Sequence, residues 1–274
     1  MSNNPAFDSV FIIMFENENA STVLQNAYFA DKADQGVLLT EYRGVTHPSQ
    51  PNYLATIAGD FFGWASDECT DLDDTTIVDL LESKQVDWMA YMEDLPEDDK
   101  TVCQQGLYYR KHNPFVSFTP NQTSDRLAKI VNAQDNFDPD TVPAFAWYGP
   151  NIQNCGHTVP GCSSAGGSIC NVNFAAQWLE GFLEPLLAND SFMKNRLIVL
   201  TFDEDWPQVD DGQPETGDPT YMVLLGDMVD PGTTQDDSYT HYNLLATIEK
   251  NFNLGNLGRN DENAETFDFL WEDN

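Results

Sequence analysis

An α/β fold, with a mostly parallel central sheet and helices on both faces, is what this 274-residue sequence predicts. Two observations lead there. Segments such as SVFIIMF (9–15) and RLIVLTF (196–202) are apolar along most of their length, as strands covered on both faces must be. Segments with apolar residues at helical spacing alternate with them, the order in which parallel sheets are built. Hydrophobic residues make up 41% of the chain and aromatics 12%, enough for a large core. No Ser/Gly-rich linker interrupts it. A single domain over 1–274 is therefore expected, with a peripheral acidic tail after 258 from which Phe267, Phe269 and Leu270 could dock.

In chain order, 9–15 is the first strand and GVLLTEYRG (36–44) the second. PNYLATIAG (51–59) reads as a helix, with Pro near its start and Gly at its end. TTIVDLLESK (75–84) is a short amphipathic helix and VDWMAYM (86–92) a strand. NQTSDRLAKIVNAQ (121–134) is expected as a helix, with Ser or Asp near its start. VPAFAWYGP (142–150) is a strand entering a loop, and NFAAQWLEGFLEPLLAN (173–189) an amphipathic helix. The strand at 196–202 ends in Asp203, Glu204 and Asp205. PTYMVLLG (219–226) is the last strand and THYNLLATIEKNF (240–252) the last helix.

Composition narrows the partners. Acidic residues number 45 against 12 basic ones, a net charge of −33. Such a field repels nucleic acid and anionic membranes, so neither is expected as a partner. The stretches DECTDLDD (67–74) and EDLPEDD (93–99) read as solvated surface, suited to high salt or low pH. An anionic substrate would need local help from a metal ion, a helix N-terminus or a few placed cations. No apolar run reaches the roughly 18 residues of a membrane span. The first residues lack the basic and apolar parts of a signal peptide, and a secreted mature form is favoured over a cytoplasmic protein.

The five cysteines are Cys69, Cys103, Cys155, Cys162 and Cys170, and none forms a C-x-x-C pair. That argues against structural zinc. The stretch CGHTVPGCSSAGGSIC (155–170) reads as a loop open to stapling. Two disulfides and one thiol would suit an oxidising compartment, five thiols a reducing one, and both stay open.

In an open α/β sheet, ligands gather beyond the carboxyl ends of the strands. Three such ends carry suitable groups here. The first strand runs into Glu16 and Asn17, the second leads to His47 and Ser49, and 196–202 ends in Asp203 and Glu204. Two separate acidic ends and a hydroxyl make an oxygen-rich site for a divalent cation.

Six blocks in order then match a known family. They are FENENAS (15–21), THPSQPNYLATIAGDFFG (46–63), YYRKHNPF (108–115), PNIQNCGH (150–157), LIVLTFDED (197–205) and YTHYNLLATIEKNFNLGNLG (239–258). The chain resembles the phosphoesterases that include acid phosphatases and phospholipases C of bacteria and fungi, within the alkaline phosphatase superfamily. In look it is nearest the short fungal-type acid phosphatases.

The resemblance implies an alkaline-phosphatase-like fold and a metal-dependent phosphomonoesterase acting on a small phosphorylated substrate through a phosphoserine. Glu16, Asn17 and Asp203 would hold one divalent cation, and Ser49 would be the nucleophile. Asn52, Lys111 and His112 would bind the phosphoryl group, helped by the helix N-terminus. His157 and His241 stand where related enzymes keep a second metal. Asn151 replaces an acidic ligand there, which leaves one metal and makes both histidines phosphate ligands or proton carriers. In protonated form they would favour acidic pH. His47 either buttresses the turn or backs the site from behind the ligands. Glu204 is either a base or a further ligand. Cys155 stands where the family usually has Asp, so His157 loses an orienting acid, unless a disulfide at Cys155 fixes the loop. A phosphodiesterase or phospholipase C, and a non-catalytic metal- or phosphate-binding relative, are the alternatives.

Overall fold

A computed structural model of the chain describes residues 4–162, 167–206 and 217–272. The central sheet is built from β1 (Ser9–Phe15), β2 (Val37–Leu39), β3 (Trp88–Met92), β4 (Ile130–Asn132), β5 (Phe145–Gly149), β6 (Arg196–Phe202), β7 (Met222–Leu225) and β8 (Thr233–Gln235). Their order across the sheet is β8-β2-β7-β6-β1-β5-β3-β4. Neighbours run parallel except at β7, which is antiparallel to both β6 and β2. The mostly parallel α/β class read from the sequence is the observed one.

Both faces of β1 are covered, which is why it reads as one apolar run. Val10, Ile12 and Met14 point to one face, where α2 (Ser49–Ala58) and α5 (His241–Asn251) bring Tyr53, Leu54, Ile57, Leu245 and Ile248. Phe11, Ile13 and Phe15 point to the other, against Phe29 of α1 (Ala27–Gln35) and Leu179 and Leu183 of α4 (Ile169–Leu187). The short helix α3 (Ile77–Ser83) starts with a capping box: Thr76 Oγ1 accepts from Val78 N, and Asp79 accepts from Thr76 N.

The structure corrects three expectations. Residues 121–134 are not one helix. Short helical turns at Thr119–Gln122, Ser124–Leu127 and Ala133–Asn136 divide them, and Ile130–Asn132 adds to the sheet edge, Ile130 pairing with Ala90 and Val131 with Tyr91. Two buried β-branched residues at an edge outweigh local helix propensity. The segment 36–44 divides into β2 and a separate bridge, Tyr42–Arg43 paired with Tyr239–Thr240. The tail after 258 caps α5 rather than lying at the periphery. Phe267 is fully buried, and its N–H donates to Thr247 Oγ1 at 2.9 Å.

The cysteines take the oxidised alternative. Cys69 bonds to Cys103 and Cys162 to Cys170, the second closing the stapled loop. Cys155 is a buried thiol, so no disulfide fixes the loop at that position.

Candidate active site

β1 and β6 are parallel neighbours with Phe15 opposite Phe202, so the next residues, Glu16 and Asp203, emerge side by side. Asp203 N donates to Phe15 O at 3.0 Å, and Asn17 N to Asp203 Oδ1 at 2.9 Å. Asn17 has a left-handed backbone, φ 48°, which turns the chain sharply at the strand end. Asparagine accepts that conformation more readily than most residues. The side chains of Glu16, Asp203 and Glu204 are fully buried.

Ser49 is the first residue of α2, after a cis His47–Pro48 peptide. Pro48 occupies the N-cap without a side-chain cap, so Asn52 ties the turn instead. Its Oδ1 accepts from Val45 N at 2.7 Å, and its Nδ2 donates to Thr46 O at 2.7 Å and Pro48 O at 3.3 Å. These bonds revise the expected phosphate contact from Asn52, whose amide is engaged at both ends by backbone. The helix N-terminus is also partly taken. Gln50 N donates to Asp67 Oδ1 at 3.0 Å, and Pro51 has no N–H to offer.

Ser49 Oγ lies 2.9 Å from Glu16 Oε2, 3.1 Å from Asn17 Oδ1 and 3.0 Å from Glu204 Oε1. One hydroxyl proton faces three acceptors. Among the described residues, no group of three or more His, Cys, Asp or Glu is already drawn together as a metal ligand set. The set read from the sequence has two carboxylates and one amide, and its chemistry fits a hard divalent cation. Burial, with Glu16 and Glu204 adding repulsion, pushes the Asp203 carboxyl well above its ordinary range. Burial and the Glu16 charge also push Glu204 up to about 7, against the pull of His47. A bound cation would relieve both.

Glu16 is held differently. Burial would raise it, but the His112 charge and hydrogen bond, then Lys111, keep it well below the carboxylate range. His112 Nε2 stands 3.0 Å from Glu16 Oε1, Tyr53 OH donates to the same oxygen, and the Tyr53 and His112 rings stack. Glu16 Oε2 is thereby aimed at Ser49. His47 Nδ1 lies 2.6 Å from Glu204 Oε2 and its Nε2 3.3 Å from Asp205 Oδ1. His47 thus backs Glu204 directly, in addition to standing before the turn.

Lys111 Nζ sits 2.6 Å from Asp67 Oδ2 and 3.1 Å from His157 Nε2. Burial would lower its pKa, but Glu16 and Asp67 more than offset that and raise it. An ammonium only donates, so His157 Nε2 is the acceptor and Nδ1–H donates to Thr158 Oγ1 at 2.7 Å. Burial and then the Lys111 charge lower His157 to about 4. His241 Nε2 lies 2.6 Å from the Asp203 carbonyl, which only accepts, so Nε2 carries a proton, and Nδ1 lies 2.8 Å from Tyr42 Oη. Burial lowers His241 to about 4. In both cases burial favours the neutral ring over the protonated one the sequence suggests: His157 lies beside the Lys111 ammonium, and both ring nitrogens of His241 have partners.

The model of the phosphoesterase family matches residues 22–255. The chain belongs to that family.

This phosphoesterase is 34% identical to a probable acid phosphatase of Kluyveromyces lactis, over 97% of its own length and 63% of the relative's. It is 33% identical to an acid phosphatase of Aspergillus fumigatus, again over 97% of its own length and 59% of the relative's. The chain thus spans about three fifths of those longer proteins. A phosphatidylinositol-3-phosphatase of Mycobacterium tuberculosis is 31% identical over 98% of this chain and 84% of that one. Among solved structures, an alkaline phosphatase superfamily protein from Vibrio parahaemolyticus superimposes with a TM-score of 0.60 at 12% identity, covering 97% of this chain and 74% of the other. The phosphonate monoester hydrolase of Agrobacterium radiobacter gives 0.56 at 11%, over 97% and 77%. These likenesses show the alkaline phosphatase superfamily fold.

Residues outside the set expected from the sequence also stand at this site. Tyr53 lies in THPSQPNYLATIAGDFFG (46–63), and its aromatic-polar character is the signal in the sequence. Asp67 and Glu93 lie in the two acidic stretches read as solvated surface. Asp67 instead bridges α2 and Lys111, and Glu93 is buried behind the loop that carries His157.

Proposed function

We propose that this protein is a metal-dependent phosphomonoesterase of the acid phosphatase type, working through a phosphoserine. The carrying observation is Ser49 Oγ at a helix start, within 2.9–3.1 Å of Glu16, Asn17 and Glu204 oxygens. The relatives named as acid phosphatases support the phosphatase class. Glu16, Asn17 and Asp203 would hold the divalent ion, which supplies Lewis-acid charge that makes the serine oxygen a better nucleophile.

The remaining roles belong to the chain. Ser49 Oγ bonds to phosphorus as the ester oxygen leaves, and water then displaces Ser49 to release phosphate. Glu204 Oε1 stands to accept the hydroxyl proton, with His47 holding the other carboxylate oxygen. Lys111 offsets the phosphoryl charge inside a strongly anionic molecule. His157, neutral, accepts from Lys111 at Nε2 and so holds that ammonium toward the phosphoryl group. Asn52 and His241 fix the Ser49 turn and the Asp203 backbone.

Ser49→Ala should lower kcat on an aryl phosphate by at least about a thousandfold with the melting temperature retained. Wild-type turnover in that variant would refute the nucleophile. Chelation should abolish activity and one divalent metal restore it. Activity indifferent to chelator, with no metal in the purified protein, would remove the metal from the reading. A rate on a phosphodiester exceeding that on the monoester would replace the substrate class.

A further inference from the structure

The Cys162–Cys170 disulfide lies beyond His157, and Cys155 before it is a free thiol, so other contacts must hold the chain that leads into His157. The structure assigns that task to Glu93. Its backbone N–H, just beyond β3, donates to Gly149 O at 2.9 Å, at the end of β5. Glu93 is 6% exposed. Oε1 accepts from Tyr148 OH at 3.2 Å and Trp178 Nε1 at 3.1 Å. Oε2 accepts from Asn151 N at 2.9 Å and Asn154 Nδ2 at 2.7 Å. Two oxygens take four donors, the full capacity of an ionised carboxylate. A hydrogen bond to a charged acceptor is also among the stronger kinds.

The clamped segment reaches the chemistry at two points. Cys155 N donates to Asn151 O at 2.9 Å, and Cys155 O then accepts from Glu16 N at 3.0 Å. Two residues on, His157 meets Lys111. At the far end Asn171 Nδ2, in the first turn of α4, donates to Gly156 O at 2.6 Å and His157 O at 3.1 Å. The loop is thus pinned on both sides, and Glu93 is the only charged side chain accepting from backbone within 151–157 in the described contacts. We propose that Glu93 is a positioning residue: it sets the 150–157 loop, and through it the His157 ring against Lys111. This rests on the phosphatase reading, in which His157 serves the reaction.

A glutamine at position 93 presents an NH₂ to donors and cannot satisfy all four. Glu93→Gln should therefore lower kcat/KM on an aryl phosphate about 10- to 100-fold and weaken inhibition by inorganic phosphate. Combined with His157→Ala, it should add less than about twofold to the loss from His157→Ala alone, since coupled residues are not additive. With four histidines in the chain, ring resonances can be assigned by substitution. Glu93→Gln should shift those of His157 and leave those of His241 in place, a readout independent of activity. Should Glu93→Gln fail to fold, Asn154→Ala removes one donor from Oε2 and should show the same non-additivity at smaller size. Unshifted His157 resonances, or losses that multiply in the double variant, overturn the positioning role while leaving the phosphatase reading intact. A wild-type protein that hydrolyses no phosphate ester overturns the phosphatase reading, and the His157 resonances then decide the role of Glu93 on their own.

Discussion

His157 is neutral because its ring nitrogen accepts from a lysine, and burial makes a second positive charge there costly. Its pKa lies lowered, near 4, so the sign of the pH effect follows. Above about 4 the imidazole keeps the lone pair its proposed role requires. Below that it protonates beside Lys111, and the rate falls. With a cation bound and Glu204 thereby kept ionised, we expect kcat/KM on an aryl phosphate to be level between pH 5 and 6 and to drop through an acid limb near 4, and His157→Ala to remove that limb. A limb unchanged in the variant, or a rate that rises below pH 4, would sink the assignment. The acid limb then marks the loss of a neutral histidine, the reverse of the protonated form the sequence suggests. Residue identity shows which group is present. It does not show the lysine or the burial that decides the charge state.

The element that matters most is α2 with the turn before it, because it carries Ser49. Asn52 joins helix to turn through Val45 N, Thr46 O and Pro48 O. Asn52→Ala leaves buried backbone groups unpaired, at roughly 1–3 kcal/mol each. We expect a melting temperature lower by several degrees and a reduced kcat. An unchanged melting temperature with a large rise in the inhibition constant of phosphate would restore Asn52 as a phosphate ligand. Much of the element plan was legible. The strands at 9–15 and 196–202 announced themselves by length and continuous hydrophobicity, and their ends located Glu16, Asn17 and Asp203. The 121–134 segment did not, because its sheet edge is supplied by β3, some 40 residues away in sequence. Glu93 and Asp67 stayed hidden for a related reason. A carboxylate in a run of carboxylates looks solvated until long-range donors are seen around it.

At the scale of the molecule, the charge of −33 makes every buried acid consequential. Glu249 on α5 is buried beside Asp261 in the segment that caps that helix. Burial and then Asp261 raise it from an ordinary 4.5 to about 9. The folded protein thus holds a proton that the unfolded chain has already released. This contribution to stability is fully present below about 4.5 and is lost as pH rises through 9. Thermal midpoints should fall as pH climbs from 5 to 9, and Glu249→Gln should flatten that slope. An equal slope in the variant would place the effect elsewhere. The register of β1 on β6 has a further consequence, one for descent. Successive side chains of a strand point to opposite faces, so a one-residue deletion in either strand would invert its buried faces and also separate Glu16 from Asp203. Surrounding loops can lengthen, shorten or be replaced in a lineage. These two strand ends can only be inherited together with the core that aligns them, so an ancestor that kept this sheet also kept the means to rebuild the site.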